Sequence, residues 1–368
     1  MPSLTGHAVL VLSVVAALLA LAGVVCLAVL RPPRSPQRRI LGRGAAVLVL
    51  ALLAQGFAVL AAGLVINDQY DFYASWGDLA GQGASTAPVI QVGGLTTHGQ
   101  GRLVLRTIPT HHGGRDDRVM VWLPSQYDQP AYRHHRFPVL MFMPGQPSSP
   151  AVVFRQFDFA SVATSAISGG VPPFIAVFPT IMIDPPRDTE CTDVPHGPAA
   201  ESWLTRIVPR YVTSHFRAEP TGSAWTTMGW STGGFCAAKL MLGHQREFGA
   251  AASFGGYYRP IQDHTTGSLF AGSILREEHN SPTWLMRSVR LLHDRLLVIT
   301  SKQDRESWPE TARFLRFAGT DPHVSYLAPD RGGHNYRVYR RLLPSALRWA
   351  GQGWTGRGGN TGSALRAG

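Results

Sequence analysis

Residues 225–242 read WTTMGWSTGGFCAAKLML. An apolar, β-prone run ends at Trp230, a helix-prone run begins at Thr232, and Ser231 stands between Gly229 and Gly233. Two readings of that serine are open. It is either a nucleophile raised on a sharp strand-to-helix turn or a turn serine that caps the helix after it. A raised serine needs neighbours with little side chain. Gly229 and Gly233 supply them, and Gly234 lets the helix pack close to the strands. In a chain with 39 glycines such a spacing also arises by chance, so its surroundings must decide.

Outward from this stretch, short β-prone runs alternate with helix-prone ones. The strand candidates are RLVLRTI, RVMVWL, PVLMFM, FIAVF, AWTTMGW, AAASF, RLLVIT and VSYL. Several are almost wholly apolar, as strands covered on both faces must be. Helices are predicted over 151–167, 199–216, 233–244, 309–317 and 336–349. This alternation predicts an α/β fold with a mostly parallel sheet and helices on both faces. The first two strands, separated by PTHHGGRDD, read as an antiparallel hairpin at one edge. No internal repeat is visible.

Chain order bears on the serine. In the α/β-hydrolase arrangement an acid and then a histidine follow the nucleophile, each in a loop after a later strand. RLLVITSKQDRES places Asp304 directly after an apolar strand, with Glu306 two residues on. Only His323 and His334 of the 14 histidines lie further along. His323 opens the strand HVSYL and sits at the wrong end of it, whereas His334 follows that strand in APDRGGHNYRVY. Ser231, Asp304 and His334 are therefore the candidate catalytic set, with Glu306 the runner-up acid. An acyl-transfer site also needs main-chain donors for a developing oxyanion. The amides of Thr232 and of Gln146, in the loop after PVLMFM, are the candidates; an ordinary Pro-Gly turn is the other reading of that loop.

The first 66 residues carry a different signal. Runs 7–30 and 44–66 contain no Asp, Glu, Lys or Arg, and each reaches the about 20 residues that a membrane-crossing helix needs. Between them lie Arg31, Arg34, Arg38, Arg39 and Arg43, and short arginine-rich loops stay in the cytoplasm. The expectation is a multi-pass anchor in the cytoplasmic membrane, residues 1–66, with everything beyond Ile66 on the extracytoplasmic side. A signal peptide is the other reading of the first run, but it lacks a basic n-region. Residues 67–101 read as a juxtamembrane linker, 102–351 as the catalytic domain and 352–368 as a disordered tail. The net charge is +11, and all but two of the 34 basic residues are arginine, the exceptions being Lys239 and Lys302. No basic helix face interleaved with aromatics appears, so nucleic acid is not the expected partner. Cys191 and Cys236 fall in the outer domain, where a disulfide is permitted; two free buried thiols are the other possibility. No Cys/His spacing suggests a metal, and the chemistry calls for no cofactor.

Four passages, RFPVLMFMPG, TECTDVPHGPAAESWLTRIVPRYVTSHFR, MGWSTGGFCAAKLML and GGHNYRVYRRLLPSALRW, resemble the esterase branch of the α/β-hydrolases. That branch includes esterase D-like enzymes and the antigen 85 mycolyltransferases. The resemblance covers the outer domain and none of the membrane part. It implies Ser231 as nucleophile, His334 as base, Asp304 as acid, and Thr232 and Gln146 as oxyanion positions. Two departures stand out: esterases of this branch have His-Gly, and the mycolyltransferases Asp-Gly, where this chain has Pro144-Gly145. Pro144 offers neither charge nor hydrogen bond, which argues against trehalose as the acyl acceptor. The passage SFGGYYRPIQDHTTGSLF is expected to overhang the site, with Tyr257 or Tyr258 lining a substrate pocket or else covering the sheet edge.

The leading expectation is a membrane-anchored extracytoplasmic serine esterase or acyltransferase acting on an envelope lipid or other acyl ester. The alternative is a non-catalytic hydrolase-like module that binds envelope lipid, glycan or a protein partner; absence of turnover by a soundly folded protein would mark it. A transporter or sensor role for the spans is disfavoured, because His7 at the edge is their one ionisable residue.

Overall fold

The structure, a computed structural model, describes residues 7–29, 37–70, 99–109 and 116–355. The interfacial and linker residues 71–98, the hairpin tip 110–115 and the tail 356–368 lie outside the described residues. The chain forms two compact units, 1–85 and 86–368.

The first unit holds two helices, α1 (His7–Val29) and α2 (Gln37–Tyr70), packed on one another. Both are long and apolar enough to cross a membrane, by length and composition. Their outward side chains, Leu12, Leu19, Leu52 and Val59 among them, are exposed. α2 begins seven residues before the apolar run that predicted it. The apolar run marks what a hydrocarbon layer accepts, while backbone hydrogen bonding continues into polar sequence at either end.

The second unit is built on eight strands: β1 (Arg102–Pro109), β2 (Asp116–Leu123), β3 (Val139–Met143), β4 (Ile175–Pro179), β5 (Gly222–Trp230), β6 (Phe248–Phe254), β7 (Arg295–Ile299) and β8 (Val324–Leu327). They form one sheet in the order β1-β2-β4-β3-β5-β6-β7-β8. β2 runs antiparallel to β1 and β4, and all the remaining pairs are parallel. β3, β4 and β6 are buried along their whole length. Their side chains divide between two cores with the period of two that a pleated strand imposes. Val139, Met141 and Met143 of β3 join the core that includes Phe235, Ala238 and Met241 of the helix Thr232–Gly243. Phe142 turns the other way and meets Phe157, Phe159 and Phe178 with ring centroids 4.9, 6.1 and 5.9 Å away. Each fully buried aromatic of this kind contributes about 2–3 kcal/mol of transfer free energy.

Three predicted helices are divided. The run 151–167 forms Pro150–Gln156 and Phe159–Ser168, separated at Asp158, whose φ of 47° an aspartate tolerates. In 199–216 a π turn, Trp203–Ile207, precedes the helix Val208–His215. Pro209 follows that turn and has no N–H to close an ordinary helical bond. Residues 336–349 form Tyr336–Arg340 and Leu343–Thr355, parted just before Pro344 for the same reason. The last of these corrects the expected domain end at 351. Residues 352–355 are helical because Trp354 is anchored: its Nε1 donates to Thr226 Oγ1 at 3.2 Å and its ring lies 5.1 Å from Phe174.

Candidate active site

β5, β7 and β8 run parallel in one half of the sheet, with β6 between the first two, so the loops after them emerge along the same edge. Ser231 follows β5 with φ 56° and ψ −121°, a conformation rarely held by a side-chain-bearing residue. The turn persists because the chain around it is close-packed. A Cβ on Gly229 would lie 2.0 Å from the Gly233 carbonyl oxygen, so neither strand end nor helix start admits a larger residue there. Gly145 brings the loop after β3 against the same turn, where a Cβ would come within 3.0 Å of the Ser231 Cβ. The Ser231 amide donates to Phe254 O at 2.8 Å. Its hydroxyl makes no capping bond to the helix. The hydroxyl lies instead 3.0 Å from His334 Nε2.

His334 Nδ1 lies 2.7 Å from Asp304 Oδ2. Asp304 is fully buried in the loop after β7. Its Oδ1 accepts the Glu306 and Ser307 amides, both at 3.0 Å, and its Oδ2 also accepts the Tyr339 hydroxyl. Burial alone would raise the Asp304 pKa. The hydrogen bond and charge of His334, the Tyr339 hydroxyl and the Ser307 amide outweigh it and hold the group at about 2. An ionised carboxylate only accepts, so Nδ1 carries the imidazole proton and Nε2 presents its lone pair to Ser231. Trp230 stacks on the imidazole at 4.9 Å and 28° and fixes its plane. Glu306, the runner-up acid, is misplaced for that role. It is 65% exposed and lies 3.6 Å from Nε2, on the serine side of the ring, because the chain has already turned away from the sheet.

Gln146 and Thr232 both line a cleft of about 520 Å³ that includes Ser231 and His334. Thr232 opens its helix, where an amide has no intrahelical acceptor. Tyr257 lines the same cleft, stacks on Phe235 at 4.9 Å, and donates its hydroxyl to Glu190. Tyr258 does not line it, which corrects the second substrate-pocket candidate. Tyr258 is 1% exposed, stacks on Phe314 at 4.0 Å and donates to Ser253 Oγ at 3.2 Å. Cys191 and Cys236 are joined in a disulfide, tying the loop after β4 to the helix that follows Ser231.

Sequence reasoning missed three contributors. Tyr339 was legible as the inward partner of Tyr336 three residues earlier on a helix, but its bond to Asp304 was not. Asp188 and Glu190 line the cleft, 5% and 1% exposed, and no local pattern announces them. Among the described residues no group of three or more His, Cys, Asp or Glu side chains is placed to hold a metal ion.

The family model described as putative esterase matches residues 110–350. An uncharacterized protein of Corynebacterium glutamicum is 27% identical over 241 residues, covering 61% of this chain. The chain spans about half, 54%, of the length of that relative. Among solved structures, the fluorophosphonate-binding serine hydrolase F of Staphylococcus aureus matches with TM-score 0.58 at 15% identity, covering 68% of this chain and 98% of its own. An S-formylglutathione hydrolase of Agrobacterium tumefaciens matches with TM-score 0.58 at 17% identity, covering 70% and 96%. MPT51 of Mycobacterium tuberculosis matches with TM-score 0.54 at 12% identity, covering 67% and 97%. At these identities the likeness establishes the α/β-hydrolase fold.

Proposed function

The chain belongs to the putative-esterase family, and from that premise we propose that it is a membrane-anchored serine esterase or acyltransferase working outside the cytoplasmic membrane. The observation that carries the reading is the unbroken chain from Asp304 through His334 to Ser231, at 2.7 and 3.0 Å. His334 Nε2 takes the Ser231 proton as the hydroxyl oxygen attacks the acyl carbonyl, and Asp304 stabilises the resulting imidazolium. The amides of Thr232 and Gln146 receive the oxyanion. His334 then gives the proton to the leaving group, and an acyl-enzyme remains on Ser231. Water attacking that ester gives hydrolysis; an alcohol attacking it gives transfer. Both run through the same base.

The anchor reading rests on α1 and α2, and the sidedness on the arginines between their apolar runs. The Cys191–Cys236 bridge fits an oxidising compartment. The substrate is an acyl ester, envelope lipids being the class that an anchored enzyme meets first. Turnover of p-nitrophenyl acetate by the full chain in detergent tests the reading. The expected result is release of nitrophenol that Ser231→Ala reduces by about 10⁴-fold or more. Equal rates for the two proteins would refute it.

A further inference from the structure

The cleft beside Ser231 is unevenly charged with depth. At its exposed rim acids and bases mix: Arg259, Asp263, Glu306 and the paired Glu310 and Arg313. Water screens such charges and they cost little. Deeper, apart from His334, the charged wall is acidic alone. Asp188 and Glu190 are both more than nine-tenths buried, and both line the cleft. Neither carboxyl has a cation within ion-pair distance among the described residues. The nearest buried cation, Lys239, is committed elsewhere. Its ammonium pairs with Glu201 at 3.0 Å and bonds the Cys191 carbonyl at 2.7 Å.

Two buried carboxyls with no cation paired to them are costly to ionise, and a fold keeps them only when its packing holds them in place. Here the packing is explicit. Thr232, Phe235, Cys236 and Lys239 lie at i, i+3, i+4 and i+7, one face of the helix after Ser231. From that face Phe235 stacks on Tyr257, Cys236 is bridged to Cys191, and Lys239 donates to the carbonyls of Glu190 and Cys191 and to the Thr192 hydroxyl. Glu190 and Cys191 both have positive φ, 49° and 51°. The helix that begins at the serine thus clamps the acidic pair at the wall of the same cleft. Burial, and then the charge of Asp188, push the Glu190 carboxyl up to about 8, against the opposing pull of the Tyr257 hydroxyl, the Ile261 amide and the charge of Lys239.

We propose that Asp188 and Glu190 form a cation-recognition subsite, and that the preferred ester carries an ammonium group which fills it while its carbonyl lies over Ser231. This rests on the reading of Ser231 as nucleophile. A cation placed there supplies the counter-charge that the fold withholds, and an isosteric neutral group does not. The test uses two fluorophosphonates of matched size, one ending in trimethylammonium and the other in tert-butyl, with labelling rates read on the full chain in detergent. The cationic probe is expected to label Ser231 at least about tenfold faster, and the ratio of the two rates to fall toward one in Asp188→Asn and in Glu190→Gln. Because the readout is a ratio, a variant that merely loosens the fold lowers both rates and leaves the ratio in place. Equal rates in the native protein, a faster neutral probe, or a ratio untouched by both variants would overturn the subsite and leave the nucleophile standing. Labelling by neither probe would overturn the nucleophile, and the subsite with it.

Discussion

At Asp304 one carboxylate accepts four donors: the His334 ring, the Tyr339 hydroxyl and the amides of Glu306 and Ser307. Each donor favours the charged form, which is why the group stays ionised although it is buried. Tyr339→Phe removes one donor and keeps the ring. It is expected to cost about 2 kcal/mol of stability and to lower kcat on p-nitrophenyl acetate by about tenfold, measured by thermal unfolding and steady-state kinetics. A larger loss than that of Asp304→Ala would contradict a positioning role. Glu190 makes the opposite prediction with pH. Its pKa in the fold, about 8, lies above the ordinary 4.5, so the folded chain binds more protons than the unfolded one between those values. Its contribution is fully present below about 4.5 and is lost as pH rises through about 8. Unfolding temperatures of the detergent-solubilised chain should therefore decline over that window, and Glu190→Gln should flatten the decline. An unchanged slope would contradict it. The order of Ser231, Asp304 and His334 was legible because each follows a readable strand. Glu190 was not, because its partner Tyr257 lies 67 residues away and only the folded chain joins them.

The elements were legible where one period dominates. The apolar runs of β3, β4 and β6 fit strands buried on both faces, and their length of five to seven residues favours a strand over a helix. The helix after Ser231 was equally clear, since eleven of its twelve residues are buried and no proline interrupts it. What the periodicity hid were the breaks, because Asp158, Pro209 and Pro344 alter the backbone without disturbing the apolar spacing around them. The pairing of Cys191 with Cys236 was open for a related reason: composition permits a bridge, but only the packing of a loop on a helix brings two sulfurs together. The bridge closes a loop of 45 residues. Replacing both cysteines by serine is expected to cost about 2–5 kcal/mol, seen as a lower unfolding temperature, and native protein should resist thiol alkylation at both positions until reduced. Alkylation of Cys191 or Cys236 without reductant would contradict the bridge.

On the scale of the whole molecule, the basic composition and the cleft point in different directions. The chain carries 34 basic residues against 23 acidic ones, yet among the described residues no cation pairs with the buried Asp188 and Glu190 that face the cleft. Net charge here describes the surface and says little about the site. The proposed sidedness follows from five arginines between two apolar runs. Alkaline phosphatase fused after residue 368 should be active in cells, and a green fluorescent protein fused at the same point dark. The reverse pattern would place the cleft in the cytoplasm. The account as a whole depends on Ser231 being a nucleophile that His334 activates. Its most direct test is mass spectrometry of the full chain after treatment with a neutral fluorophosphonate. The account predicts one covalent adduct, mapped to Ser231, absent from Ser231→Ala and formed at least about a hundredfold more slowly in His334→Ala. An adduct that persists in Ser231→Ala, or a native protein that takes up no probe, would contradict it.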